Sequence, residues 1–308
     1  MFKVIASDEN SSGRSPTEKP MQSSQKQVTL GDLSLAYREW GAGEPVILLH
    51  GLADHGLVWQ ELAETLSKHF HCFAPDLRGH GNSDKPPASE YGSNAIAQDL
   101  EAFATTCNLS AVNVVAHSWA AKIALIWARQ QPHRLKRLIL VDPFFVNRLP
   151  GLFRPTFPIL YRTLPFLKVM GPFANYATAE ATARLLKQYH GWSPLQQAVF
   201  QEAMEPKTEG RWGSKFAIAA RNGVFADILQ QPGLTEPLPV PTLLLLPEAG
   251  LNRMAWQLQP YRTYLPHLTI QSIPGNHWAH LVSPEACNQA IANFLTNAST
   301  PVEAQKAE

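Results

Sequence analysis

Ser118 stands where the apolar run Val112-Asn113-Val114-Val115-Ala116-His117 gives way to the helix-forming stretch Trp119-Ala120-Ala121. A serine at a strand-to-helix junction can be held on a strained turn that presents its hydroxyl as a nucleophile, and such turns favour the pattern G-x-S-x-G. Here the flanking positions are alanine, Ala116 and Ala120, the smallest side chains with a Cβ. The structural alternative for a lone serine at such a place is a helix N-cap. A neutral hydroxyl attacks only weakly, so acyl chemistry would need a histidine to take its proton and a carboxylate to orient that histidine. His277 is the candidate base, within Pro274-Gly275-Asn276-His277-Trp278-Ala279-His280, with His280 as its competitor. Two carboxylates follow apolar runs and could serve as the acid: Asp142 after Arg137-Leu138-Ile139-Leu140-Val141, and Glu248 after Thr242-Leu243-Leu244-Leu245-Leu246-Pro247.

The elements that must position these groups are short apolar runs alternating with longer helical patterns, the sequence form of an α/β fold with a mostly parallel, doubly buried sheet. The predicted strands are Val46 to His50, His71 to Ala74, Val112 to Ala116, Arg137 to Val141, Thr242 to Leu246 and Leu268 to Ile273. Ile96, Leu100, Phe103 and Cys107 recur at helical spacing, and Trp119 to Gln131 is apolar nearly all round, as a helix buried against a sheet should be. Strand-like runs vanish between about Phe144 and Pro239, so 144–239 reads as an inserted helical cap within a core of 27–143 and 240–297. Residues 1–26 read as a disordered leader and 298–308 as a flexible tail.

Three further segments carry a resemblance. Val46-Ile47-Leu48-Leu49-His50-Gly51-Leu52 precedes Asp76-Leu77-Arg78-Gly79-His80-Gly81-Asn82-Ser83-Asp84, and the histidine loop continues into Leu281-Val282-Ser283-Pro284-Glu285. With the Ser118 segment, and in this order, they resemble the α/β-hydrolase family from about Gln27 to Leu295 apart from the cap. The resemblance implies an α/β-hydrolase fold with the cap inserted, Ser118 as nucleophile and His277 as base. It also implies an oxyanion hole built from the backbone N–H groups of Leu52 and Trp119, and reads the Asp76–Asp84 loop as architecture. In most of the family the acid lies after the strand written here as Pro241 to Leu246, but Gly250 stands in its place. Locally the chain is most similar to haloalkane dehalogenases, one branch of which carries the acid after the earlier strand. That favours Asp142, with Glu248 as the alternative acid. Those enzymes attack an sp³ carbon with a carboxylate, whereas Ser118 would leave an ether that water cannot open; Leu52 also replaces their halide-holding asparagine. What remains for a serine is acyl transfer, so the expected activity is hydrolysis of a carboxylic ester, thioester or lactone of an apolar substrate. The alternatives are a catalytically silent binding protein and an acyltransferase using the same serine.

The bulk composition excludes other classes. A net charge of +1 provides no field to draw nucleic acid. Cys72, Cys107 and Cys287 lie too far apart for a CxxC metal site or a disulfide framework. No metal or organic cofactor is expected. No apolar run approaches the ~20 residues of a membrane span, and a cytoplasmic location is expected. The cap segment from Phe144 to Thr178 lacks Asp and Glu but sets Arg148, Arg154, Arg162 and Lys168 among Phe144, Phe145, Phe153, Phe157, Tyr161, Phe166 and Phe173. It is expected to pack over the active site, with peripheral contact to an anionic membrane as the sharper alternative.

Overall fold

A computed structural model of the protein describes residues 24–144, 146–147, 164–228 and 230–296. Their backbone is organised by one eight-stranded sheet. All six predicted strands are present: β3 (Glu44–Leu49), β4 (Phe70–Pro75), β5 (Val112–His117), β6 (Leu135–Val141), β9 (Thr242–Ala249) and β10 (Leu268–Asn276). They run parallel in the order β4-β3-β5-β6-β9-β10. Two strands that the sequence did not announce, β1 (Ser24–Leu30) and β2 (Leu33–Gly41), pair as an antiparallel hairpin and extend the sheet beyond β4. The expected leader therefore runs three residues too far. Ser24, Gln25 and Lys26 already pair with Glu39, Arg38 and Tyr37, while 1–23 and the tail lie outside the described residues.

The parallel strands are buried on both faces because their side chains alternate between two cores. Val114, Ala116, Leu138, Leu140 and Leu244 point into one core, with Ile96, Leu100 and Phe103 of α2 (Ser93–Thr106) and Ile123 and Trp127 of α3 (Ala120–Gln130). Val115, Ile139, Val141, Leu243 and Leu245 point into the other, with Leu62 and Leu66 of α1 (Gln60–Leu66) and residues near the C-terminus such as Ile291 and Leu295.

Between β6 and β9 the described elements are chiefly helical: α4 (Tyr176–Ala183), α5 (Pro194–Ala203) and α6 (Ile218–Ile228). Local chemistry starts the first two: Asn175 Oδ1 accepts the Thr178 N–H, and Ser193 and Gln196 form a reciprocal capping box around Pro194. Strand structure does not vanish there, however. Met204–Pro206 (β7) and Trp212–Ser214 (β8) form a three-residue ladder, too short to leave a periodic trace in the sequence. Lys168, Phe166 and Phe173 of the basic, aromatic stretch are described; Arg148, Arg154, Arg162, Phe145, Phe153, Phe157 and Tyr161 lie outside the described residues.

Candidate active site

The residues singled out for chemistry meet at the carboxyl ends of the parallel strands, where an open α/β sheet presents its loops. Ser118 follows β5 and Asp142 follows the adjacent β6, in register: His117 lies beside Val141, and Val141 beside Leu245. The Ser118 N–H donates to Val141 O at 3.0 Å, and the Asp142 N–H donates to Leu245 O at 3.0 Å. Both residues hold positive φ, 57° for Ser118 and 40° for Asp142, and Ala53 in the turn after β3 joins them at 66°. Non-glycine residues in this region cost roughly 1–3 kcal/mol each and persist only where their surroundings over-determine them. Three on one rim mark a site whose turns serve something other than stability. Ala116 and Ala120, in place of the expected glycines, are both fully buried beside the turn.

His277 arrives from the loop after β10. Its Nε2 lies 2.9 Å from Ser118 Oγ and its Nδ1 lies 2.7 Å from Asp142 Oδ2. A carboxylate only accepts, so Nδ1 carries the proton and Nε2 accepts from the serine hydroxyl. Asp142 is fully buried, yet three other contacts satisfy it: the Leu251 N–H donates at 2.8 Å to Oδ2 and 3.1 Å to Oδ1, and Asn252 Nδ2 donates to Oδ1 at 2.9 Å. A buried carboxylate with donors on both oxygens can stay ionised. Glu248 is exposed, and no hydrogen bond or ion pair joins it to His277 among the described residues.

Gly250 explains the arrangement. A Cβ there would stand 2.6 Å from Asp142 Oδ2 and 2.9 Å from its Cγ, so the Asp142 carboxylate occupies the space a side chain at 250 would need. The position that read as a missing acid is the vacancy that admits the Asp142 carboxylate from the neighbouring strand. The sequence signal was available only as a pair, a glycine at one strand end and an aspartate at the next. The supporting roles of Leu251 and Asn252 had no signal of their own.

Leu52 and Trp119 both line the cavity above the serine, and neither main-chain N–H has a main-chain acceptor among the described residues. The cavity, about 180 Å³, is walled chiefly by apolar side chains, among them Leu164, Phe166, Phe225, Ile228 and Leu251. Phe144 also lines it, and its N–H donates to Ser118 O at 3.1 Å.

Beneath the histidine loop lies a second polar cluster that the sequence reading missed. His117 Nε2 donates to the main-chain O of His277 at 2.8 Å, and its ring packs 4.6 Å from that of His277 and 4.4 Å from that of His280. His280 is buried and stacks on Trp59 at 4.5 Å, which fits a packing residue rather than a base. Asp54 is buried beside His117, and desolvation pushes its carboxyl up to about 7 against the lowering effect of the Trp278 indole. The Asp76–Asp84 loop is architecture. Asp76 accepts the N–H groups of Gly56 and Asn82, and Arg78 pairs with Asp99. Among the described residues no group of side chains could hold a metal ion, the three cysteines are unpaired, and no helix is long and apolar enough to cross a membrane.

Comparison with known proteins agrees with this fold. A family model described as "alpha/beta hydrolase fold" matches residues 44–284. An uncharacterized protein of Mycobacterium tuberculosis is 28% identical over 213 residues, 67% of this chain and 62% of that one, so this chain spans less than two thirds of that relative's length. A 2-(acetamidomethylene)succinate hydrolase of Mesorhizobium japonicum is 25% identical over 275 residues, 88% of this chain and 94% of the relative. A crystal structure of E-2-(acetamidomethylene)succinate hydrolase shares the fold, with a TM-score of 0.76 at 23% identity, covering 89% of this chain and 99% of that one. An sn-1-specific diacylglycerol lipase of Mus musculus is 25% identical over 280 residues, 89% of each chain. None of these is a haloalkane dehalogenase, so the family is shown while the nearer likeness to that branch is not.

Proposed function

The chain belongs to the α/β-hydrolase fold family, and on that premise we propose that it is a serine hydrolase cleaving a carboxylic ester, thioester or lactone of an apolar substrate through an acyl-enzyme. The observation that carries this reading is the unbroken hydrogen-bonded series from Ser118 Oγ through His277 to Asp142. In the first half-reaction Ser118 Oγ attacks the carbonyl carbon while its proton passes to His277 Nε2. The oxyanion forms against the N–H groups of Leu52 and Trp119. The C–O or C–S bond to the leaving group breaks, and the imidazolium returns the proton to that group. Water then attacks the acyl-enzyme with its proton taken by His277, and the acid departs as Ser118 recovers its hydrogen. Asp142 stays ionised throughout, fixing the Nδ1–H tautomer and stabilising the imidazolium.

The apolar cavity wall favours an apolar acyl or alcohol group, in keeping with a relative named for diacylglycerol lipolysis. The intact acid–histidine–serine geometry also weighs against a catalytically silent fold, since the glycine at 250 is answered by Asp142. Fluorophosphonate labelling tests the reading, because the probe phosphonylates only an activated serine. Wild-type protein should label and Ser118→Ala should not; an unlabelled wild type would sink it.

A further inference from the structure

Asp54 and His117 form a polar pair that the acyl chemistry leaves unused. Both line the cavity, both side chains are at least nine-tenths buried, and Asp54 Oδ2 faces His117 Nδ1 across 4.0 Å. Neither atom has a hydrogen-bond partner among the described residues. Two unpaired polar atoms out of water's reach are costly to a fold, so their facing placement calls for an account.

The other side of the His117 ring supplies it. Burial, reinforced by neighbouring His280 and His277, holds this imidazole well below its ordinary range, so it is neutral and carries one ring proton. The His277 carbonyl draws that proton to Nε2, which leaves a lone pair on Nδ1. A protonated Asp54 can donate to that lone pair after a small closure of the gap. An ionised Asp54 opposes it acceptor to acceptor, and favours the other tautomer, whose proton sits on Nδ1 and no longer reaches the His277 carbonyl.

We propose that Asp54 is a positioning residue that acts through His117: its proton selects the ring tautomer of His117, and that tautomer decides whether the main chain of His277 is held against Ser118. The switch moves one proton from the carboxyl to solvent and exchanges one from Nε2 to Nδ1, with no other bond changed. The groups that face the pair are His277 and His280 on the histidine loop, His50 at the end of β3, Tyr189 from the inserted segment, and the Trp278 indole. Lys187 lines the same cavity, but burial and the Trp278 indole, not a cation, set the Asp54 carboxyl, which titrates near neutrality, where the switch would operate.

The inference rests on Ser118 being the nucleophile, and one experiment separates the two. Fluorophosphonate labelling rates of the full chain are measured against pH for wild type, Asp54→Asn and His117→Phe, with a thermal melt at each pH to confirm folding. The wild-type rate should fall above neutrality, by up to about tenfold per pH unit. Asp54→Asn, whose amide donates to Nδ1 at every pH, should lose the alkaline fall. His117→Phe should label about ten- to a hundredfold more slowly throughout, with no fall. An alkaline fall absent from wild type, or equally deep in Asp54→Asn, overturns the relay while leaving the nucleophile standing. Absence of labelling at every pH overturns both.

Discussion

Two aspartate–histidine pairs lie on this rim within one ring contact of each other, both with buried carboxyls, and they differ in what those carboxyls meet. Asp142 and His277 are in direct contact at 2.7 Å, with Leu251 and Asn252 donating to the rest of the carboxylate. Asp54 and His117 stand 4.0 Å apart with the facing atoms unpaired, and the carboxyl is pushed up to about 7. Burial alone therefore does not decide what a carboxyl does; the number of donors around it does. The first carboxyl has donors on both oxygens, whereas the second leaves one oxygen facing a ring nitrogen with no donor between them.

The sharpest way to break this contrast is Asp142→Asn. The amide can donate to Nδ1 and so favour the tautomer that leaves a proton on Nε2, and kcat should fall by about 10⁴-fold with KM little changed. Measured turnover of a p-nitrophenyl ester within tenfold of wild type would mean that another group orients His277. Gly250→Ala attacks the same pair sterically, because its Cβ would press on Oδ2 at 2.6 Å. A displacement on the order of 1 Å should cost about a hundredfold in kcat, and unchanged kinetics would show that the carboxylate does not need that space.

Asp54→Asn tests the other pair through stability. A folded-state carboxyl raised above its ordinary range holds its proton more tightly than the unfolded chain does. Its contribution is thus favourable at acid pH, declines as pH climbs from the ordinary carboxylate range to about 7, and stays lost above that. The shift from 3.8 to about 7 corresponds to a penalty on the order of 4 kcal/mol. Above neutrality Asp54→Asn should therefore melt several degrees higher than wild type, with the gap narrowing on acidification; parallel melting curves across pH would refute it. The smallest effect belongs to Glu248→Gln. An exposed side chain unconnected to His277 should change neither melting nor turnover by more than about 0.5 kcal/mol equivalent, and a large loss of turnover would restore it as the acid.

What was legible in the sequence follows from what is local. The parallel strands showed as apolar runs because both faces are buried, and Ser118 and His277 showed because strand, turn and helix chemistry sit within ten residues of each. The β1 strand was not legible: Ser24-Gln25-Lys26-Gln27-Val28-Thr29-Leu30 is an edge strand with mostly exposed side chains, so no apolar alternation marks it. Choosing between Asp142 and Glu248 required the register of β6 against β9 and the direction of each side chain, which spacing along the chain does not contain. The Asp54–His117 pair joins a loop residue to the last residue of β5, 63 positions on in sequence, and leaves no trace in either segment alone.

The crowding between position 250 and Asp142 also bears on how such a site changes over generations. An aspartate placed at 250 beside the existing one would force two carboxylates into one space, while loss of Asp142 with Gly250 in place would leave the histidine without its carboxylate partner. The two arrangements are thus separated by intermediates that are each impaired, and selection would hold a lineage to whichever it has reached.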